Sequence, residues 1–411
     1  LLWIAIKKVI LQNKNAFQSI IHFYTIHLAL KMPIDISQIP SPCYVLEEKL
    51  LRRNLELLNR VQTESGASII VALKGFSMYA TFPMVKQYLS GATASSLNET
   101  QLIVEEMGCL AHTYSPAYKP AEFAQIMANS SHITFNSMNQ WNQFKDQVQT
   151  FERKISCGIR INPQYAEVET DMYNPCIVGS RLGITRDIIG EKLPEGIEGL
   201  HSHTLCENDS FTLERTLVHI EEKFGDLLHQ VKWLNLGGGH LMTREGYNHE
   251  HLITLIKRLR ENYNIEIILE PGSAIGWQTG YLTSTVLDIV DAQGVDVAIL
   301  DISFAAHMPD TLEMPYKPRI WGAIDAVAGN RKPTYRMGGM TCLAGDFMGD
   351  YSFDEPLKIG DSVVFDDMIH YTMVKTTTFN GVGLPSIGIW KENDAFQLLK
   401  SFGYETYKEK L

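Results

Sequence analysis

Ser68-Ile69-Ile70-Val71-Ala72-Leu73-Lys74-Gly75 is the stretch from which the rest of the chain can be read. A short apolar run closed by a glycine fits a buried strand, and it places Lys74 at that strand's C-terminal end. A lysine so placed is a solvated cap, or a group whose ammonium form is disfavoured by desolvation. In the second case its amine becomes a nucleophile suited to carbonyl and cofactor chemistry.

Working outward, Leu46, Leu50, Leu51, Leu55, Leu58 and Val61 recur at helical spacing before this strand. After it, short apolar runs alternate with helical stretches at 78–89, 98–107, 120–127, 138–148, 211–230 and 250–263. Eight strands are expected, ending near Lys74, Ser95, Ser115, Asn136, Asn162, Thr204, Gly237 and Glu270. That alternation predicts an α/β protein built on a (β/α)8 barrel over residues 32–276. Beyond 276, the stretches 281–290, 295–302, 319–324, 334–340, 361–365 and 371–379 read as strands between Gly, Pro and Asp. Residues 277–411 are therefore expected to form a β-rich domain.

Residues 1–31 contain Lys7, Lys8, Lys14 and Lys31 and no acidic residue, and Met32 is the first methionine. They are expected to lie outside the folded core, with Met32 as the natural start. The net charge of -11 disfavours nucleic acid and anionic membrane surfaces and suits a cationic substrate. Cys43, Cys109, Cys157, Cys176, Cys206 and Cys342 form no C-x-x-C pair, as in a cytoplasmic enzyme with reduced thiols and no metal site.

In such a barrel the working residues stand at the C-terminal ends of the strands. Lys74 ends the first, Arg160 the fifth and His203 the sixth. Gly237-Gly238-Gly239 follows the seventh and Glu270-Pro271-Gly272 the eighth. Three glycines make a tight turn or a phosphate cradle. His203 is a packed histidine or a ring that stacks on a flat cofactor. Glu270 is a paired carboxylate or a partner for a pyridine nitrogen. Arg160 meets either that site or a neighbouring acid.

Taken together, Ala72-Leu73-Lys74, His201-x-His203, Gly237-Gly238-Gly239 and Glu270-Pro271-Gly272 resemble, in order and spacing, the fold-type III pyridoxal phosphate-dependent decarboxylases. This alanine-racemase-like group includes the ornithine and diaminopimelate enzymes. Within it the chain from about Met32 onward is most similar to the carboxynorspermidine and carboxyspermidine decarboxylases. Met340-Thr341-Cys342-Leu343-Ala344-Gly345-Asp346 and Asp301-Ile302-Ser303-Phe304 are part of that likeness. Ser273 stands where the ornithine and diaminopimelate enzymes carry arginine.

The resemblance implies a lyase of polyamine biosynthesis that uses pyridoxal 5'-phosphate. It implies that Lys74 carries the cofactor, that His203 stacks on its ring and that Glu270 meets its pyridine nitrogen. Gly237, Gly238 and Gly239 would hold the phosphate with Tyr371, and Arg160, Cys206 and Gly272 would line the cofactor site. Cys342 would return a proton after CO2 leaves. Asp310, Asp346 and Glu207, with Glu270, would bind a cationic carboxypolyamine. A homodimer with shared sites is also implied. A basic amino-acid decarboxylase of the same fold (diaminopimelate, ornithine or arginine), a racemase and a non-catalytic regulator are the rival readings.

Overall fold

The computed structural model describes residues 32–411 except 169, 328 and 330; the expectation for residues 1–31 lies outside the described residues. The chain divides into two units. One consists of Glu48–Thr279 and Ile369–Val374, the other of residues 32–47, Gly280–Met368 and Lys375–Leu411.

Strand β1 (Cys43–Glu47) belongs to the second unit. The first unit is a closed parallel barrel of β2 (Ser68–Ala72), β3 (Gly91–Ala94), β4 (Ala111–Tyr114), β5 (Ser130–Phe135), β6 (Ser156–Arg160), β7 (Ile197–His201), β8 (Trp233–Asn235) and β9 (Glu266–Leu269). The eight expected strands are these eight. Most of their residues are buried, and β2 and β9 read as near-continuous apolar runs, as parallel strands covered on both faces do.

Packing below the rim fixes the barrel's interior. The Trp233 indole fills the space beside Gly158 and Gly199, where an added Cβ would lie 2.2 and 2.0 Å from its ring. Its Nε1–H donates to Ser156 Oγ at 2.9 Å. Outside, helix α1 (Glu48–Ser65) buries Leu51, Leu55, Leu58 and Val61, each worth about 1.5–3 kcal/mol. Its buried Asn54 donates to the carbonyls of Ile275 and Trp277 at 3.1 and 2.8 Å, tying the helix to the segment after β9.

In the second unit β10 (Gly280–Asp291), β11 (Asp296–Leu300), β12 (Ala323–Asp325), β13 (Thr334–Gly338), β14 (Phe347–Phe353), β15 (Ser362–Asp366), β16 (Ser386–Trp390) and β17 (Phe396–Lys400) complete a nine-stranded sheet with β1. Strand β1 runs antiparallel to β10 and parallel to β16. Residues 32–47, grouped with the barrel in the sequence reading, pack here instead. Ile34, Cys43 and Val45 share a core with Tyr281, Val364 and Trp390. The 371–379 stretch, expected as a strand, opens with a helical turn, Tyr371–Val374. An apolar run that short does not distinguish helix from strand by periodicity. No helix among the described residues is long and apolar enough to cross a membrane.

Candidate active site

Lys74 follows β2 by two residues, in a turn where Gly75 N–H and Phe76 N–H both donate to Ala72 O. The turn lies against Gly272: a Cβ on Gly75 would meet Gly272 Cα at 2.9 Å. Gly272 thus serves the lysine turn by leaving room for it. Lys74 Nζ stands 3.1 Å from His203 Nε2. Lys74 as a whole is exposed, yet surrounding protein desolvates its amine. That burial lowers the Lys74 pKa below the usual lysine value; the Arg160 guanidinium adds to the effect, and Glu270 and Glu99 oppose it.

His203 Nδ1 accepts from Gly238 N–H at 3.1 Å. An acceptor at Nδ1 fits the neutral tautomer with the proton on Nε2, on the side of the ring that faces Lys74. Burial holds the His203 pKa well below the ordinary histidine value, and the charges of Lys74 and Arg160 act the same way. Arg160, the last residue of β6, donates to His203 O at 3.0 Å and lies over the Tyr114 ring, 4.7 Å from its centroid.

Glu270 is buried after β9. Its Oε1 accepts from Asn235 Nδ2 at 2.8 Å, and its Oε2 lies 3.4 Å from His201 Nε2. Burial alone would raise this carboxyl's pKa. The His201 and Asn235 partners and the nearby His112 outweigh it and hold the value down at about 2.

The glycine turn is packed on all sides. A Cβ would lie 2.4 Å from His203 Cβ at Gly237, 2.6 Å from Glu270 O at Gly238 and 2.1 Å from Leu205 O at Gly239. Gly237 N–H donates to Asn235 Oδ1 at 2.8 Å and Gly238 N–H to His203. Only the Gly239 amide is left without an acceptor among the described residues, so the cradle expected from all three glycines narrows to one. Asn208 N–H donates to Gly239 O at 2.9 Å, locking the Cys206–Glu207 turn to this one. Glu207 holds a left-handed φ of 53°. Tyr371 is counted with the barrel; burial raises its hydroxyl pKa above the ordinary tyrosine value, with Cys206 and Glu207 adding to that.

Asp310, Cys342 and Asp346 belong to the sheet unit. Cys342 is an exposed free thiol whose N–H donates to Asn380 Oδ1 at 2.8 Å. Asp310 Oδ2 accepts from the Tyr316 hydroxyl at 2.8 Å. Asp346 corrects its expected role as a reader of the substrate. It is buried, and its oxygens accept from Ser303 Oγ, Ala305 N–H, Thr341 N–H and Thr341 Oγ1 at 2.5–3.1 Å. Such a carboxylate is an internal staple.

The sequence reading missed Tyr114, Glu99 and Asn235. Tyr114 ends β4 and was open to the same strand-end rule. Asn235 carried no comparable signal, because an amide at a strand end is ordinary.

The family described as "Pyridoxal-dependent decarboxylase, C-terminal sheet domain" matches residues 43–369. The chain is 49% identical over 377 residues to the carboxyaminopropylagmatine decarboxylase of Synechocystis sp., covering 92% of this chain and 96% of that protein. It is 44% identical over 379 residues to the carboxynorspermidine/carboxyspermidine decarboxylase of Campylobacter jejuni, covering 90% and 98%. The crystal structure of carboxynorspermidine decarboxylase from Campylobacter jejuni complexed with norspermidine superposes with a TM-score of 0.84 at 42% identity, covering 91% of this chain and all (100%) of that one. Diaminopimelate decarboxylase from Helicobacter pylori shares the fold, with a TM-score of 0.75 at 16% identity over 92% of this chain and 99% of that one.

Proposed function

Because the chain belongs to the pyridoxal-dependent decarboxylases, we propose that it releases CO2 from the α-carbon of a carboxylated polyamine. It is a pyridoxal phosphate enzyme of polyamine biosynthesis. The substrate class follows its relatives, which act on carboxyaminopropylagmatine and on carboxynorspermidine or carboxyspermidine. Each such substrate is an amino acid with a long cationic tail, ending in a guanidinium in the first case and an ammonium in the others. The observation that carries the reading is Lys74 Nζ at 3.1 Å from His203 Nε2, on a rim shared with Glu270 and the glycine turn.

These residues fit the cofactor: a lysine amine whose pKa burial lowers, an imidazole beside it, a firm carboxylate, and a turn so closely packed that it excludes any Cβ. Bound pyridoxal phosphate supplies the sink for the electron pair left when CO2 departs. Lys74 would hold it through its amine, whose pKa burial lowers. His203 would pack on the ring, and Glu270, whose pKa is held down at about 2, would keep a proton on the ring nitrogen. Gly239 N–H and Tyr371 would receive the phosphate. Cys342 acts as the general acid that returns a proton to the α-carbon, and Asp310 and Glu207 read the cationic tail. The working assembly is a homodimer.

The test is CO2 release from carboxyaminopropylagmatine, carboxynorspermidine and carboxyspermidine against diaminopimelate, ornithine and arginine. The expected kcat/KM is higher for a carboxypolyamine by at least about tenfold, or ~1.4 kcal/mol. Preference for one of the three amino acids sinks the assignment. Sedimentation velocity is expected to show a dimer; a monomer with full activity refutes that part.

A further inference from the structure

We infer that Asn235 is a positioning residue that ties the carboxylate of Glu270 to the backbone of the glycine turn. It thereby holds the ring-facing and phosphate-facing sides of the cofactor pocket in one register. The inference rests on the pocket being a pyridoxal phosphate site.

Three hydrogen bonds close a ring. Asn235 Nδ2–H donates to Glu270 Oε1 at 2.8 Å, Glu270 N–H donates to Gly237 O at 2.7 Å, and Gly237 N–H donates to Asn235 Oδ1 at 2.8 Å. The amide's orientation is fixed by its partners, because a backbone N–H can only donate and an ionised carboxylate can only accept. Asn235 and Glu270 are both buried, so neither bond is replaced cheaply by water. Asparagine is suited to this position because it gives and takes a hydrogen bond at once, within one short side chain. Alanine does neither. Aspartate still accepts from Gly237 N–H but sets a second anion against Glu270, and two carboxylates in contact retain a shared proton.

Between pH 6 and 8 the introduced carboxyl pair is the group that changes. The ionisable groups facing Glu270 are His201, His112, Lys74 and Tyr114. Burial lowers the His201 pKa and takes that of His112 down to about 3, and both rings are common to every variant. Lys74 and Tyr114 are likewise common to every variant, so each variant is referred to the unsubstituted protein at the same pH.

The experiment is absorbance titration of apoprotein with pyridoxal phosphate at pH 6 and pH 8, alongside the apoprotein Tm. Asn235→Asp is expected to bind at least about tenfold more weakly than the unsubstituted protein at pH 8, with the loss shrinking at pH 6 as the pair takes up its proton. Asn235→Ala is expected to lose affinity equally at both pH values. Binding within about threefold of the unsubstituted protein in both variants overturns the inference, as does an Asn235→Asp loss that ignores pH. If Asn235→Asp does not fold, the double variant with Glu270→Gln reverses the bond's direction and is expected to recover the Tm of Glu270→Gln alone. No recovery overturns the inference. Failure of the unsubstituted protein to bind pyridoxal phosphate instead overturns the reading of the pocket, which the Tm comparison does not depend on.

Discussion

Lys74 and Glu270 both have pKa values below their ordinary ranges, for different reasons. Burial and Arg160 favour the uncharged amine, whereas His201 and Asn235 favour the charged carboxylate against the cost of burial. An amine with a lowered pKa and a carboxylate with a lowered pKa thus share one rim. Lys74→Ala is expected to abolish the visible absorption of bound cofactor; a retained band would remove Lys74 from its role. The two aspartates of the sheet unit should separate by their effects. Asp310→Ala is expected to raise KM roughly tenfold or more, about 1.4 kcal/mol, with cofactor uptake unchanged. Asp346→Ala strands buried donors at about 1–3 kcal/mol, so it should lower Tm and leave KM within about threefold. The reverse pattern in steady-state kinetics and thermal melts would exchange their roles. Lys74, His203 and Glu270 were legible because the strand-end rule points at charged and aromatic residues. Asp346 was misread because an acid near Cys342 looks the same in sequence whether it faces a substrate or four protein donors.

At the scale of elements, the glycine turn after β8 is a packing device before it is a binding one. Gly239 has φ of +84° and its missing Cβ position lies against Leu205 O. Gly239→Ala is expected to cost at least about 1–3 kcal/mol and to abolish cofactor binding, measured by chemical denaturation and absorbance titration. Near-normal stability and affinity would show that the turn has slack. The barrel strands were legible because short apolar stretches alternate with helices, and β2 and β9, covered on both faces, are near-continuous apolar runs. The sheet was only partly legible. Strand β17 is largely exposed, and β1 pairs with residues more than 230 positions away in sequence, beyond the reach of any local pattern. Tyr371–Val374 has strand-like composition and forms a helical turn.

Across the whole molecule, buried histidines set the response to acid. Burial lowers the pKa to about 3 at His112 and about 4 at His132, His240 and His307. Each folded value lies below the unfolded value of 6.5, so the neutral ring contributes stability in full above about pH 6.5. That contribution is lost as pH falls from 6.5 towards 4, where the unfolded chain binds protons that the folded chain refuses. The apoprotein Tm is expected to fall steadily over that window, and His132→Phe to flatten the fall. A Tm independent of pH between 6.5 and 4.5 would contradict it. The two-unit plan was legible from the change of periodicity near residue 276, but its boundary was not: β1 stands beside α1 in sequence and beside β10 and β16 in space.

That placement of β1 sets a schedule for synthesis. Of the described strands, the first to leave the ribosome must wait for β10 (Gly280–Asp291) on one edge and for β16 (Ser386–Trp390) on the other. At about 5–20 residues per second the wait lasts roughly tens of seconds, while the barrel strands between them can already close. Until then Cys43-Tyr44-Val45-Leu46 is an apolar segment with open edges, the kind of nascent chain that chaperones shield.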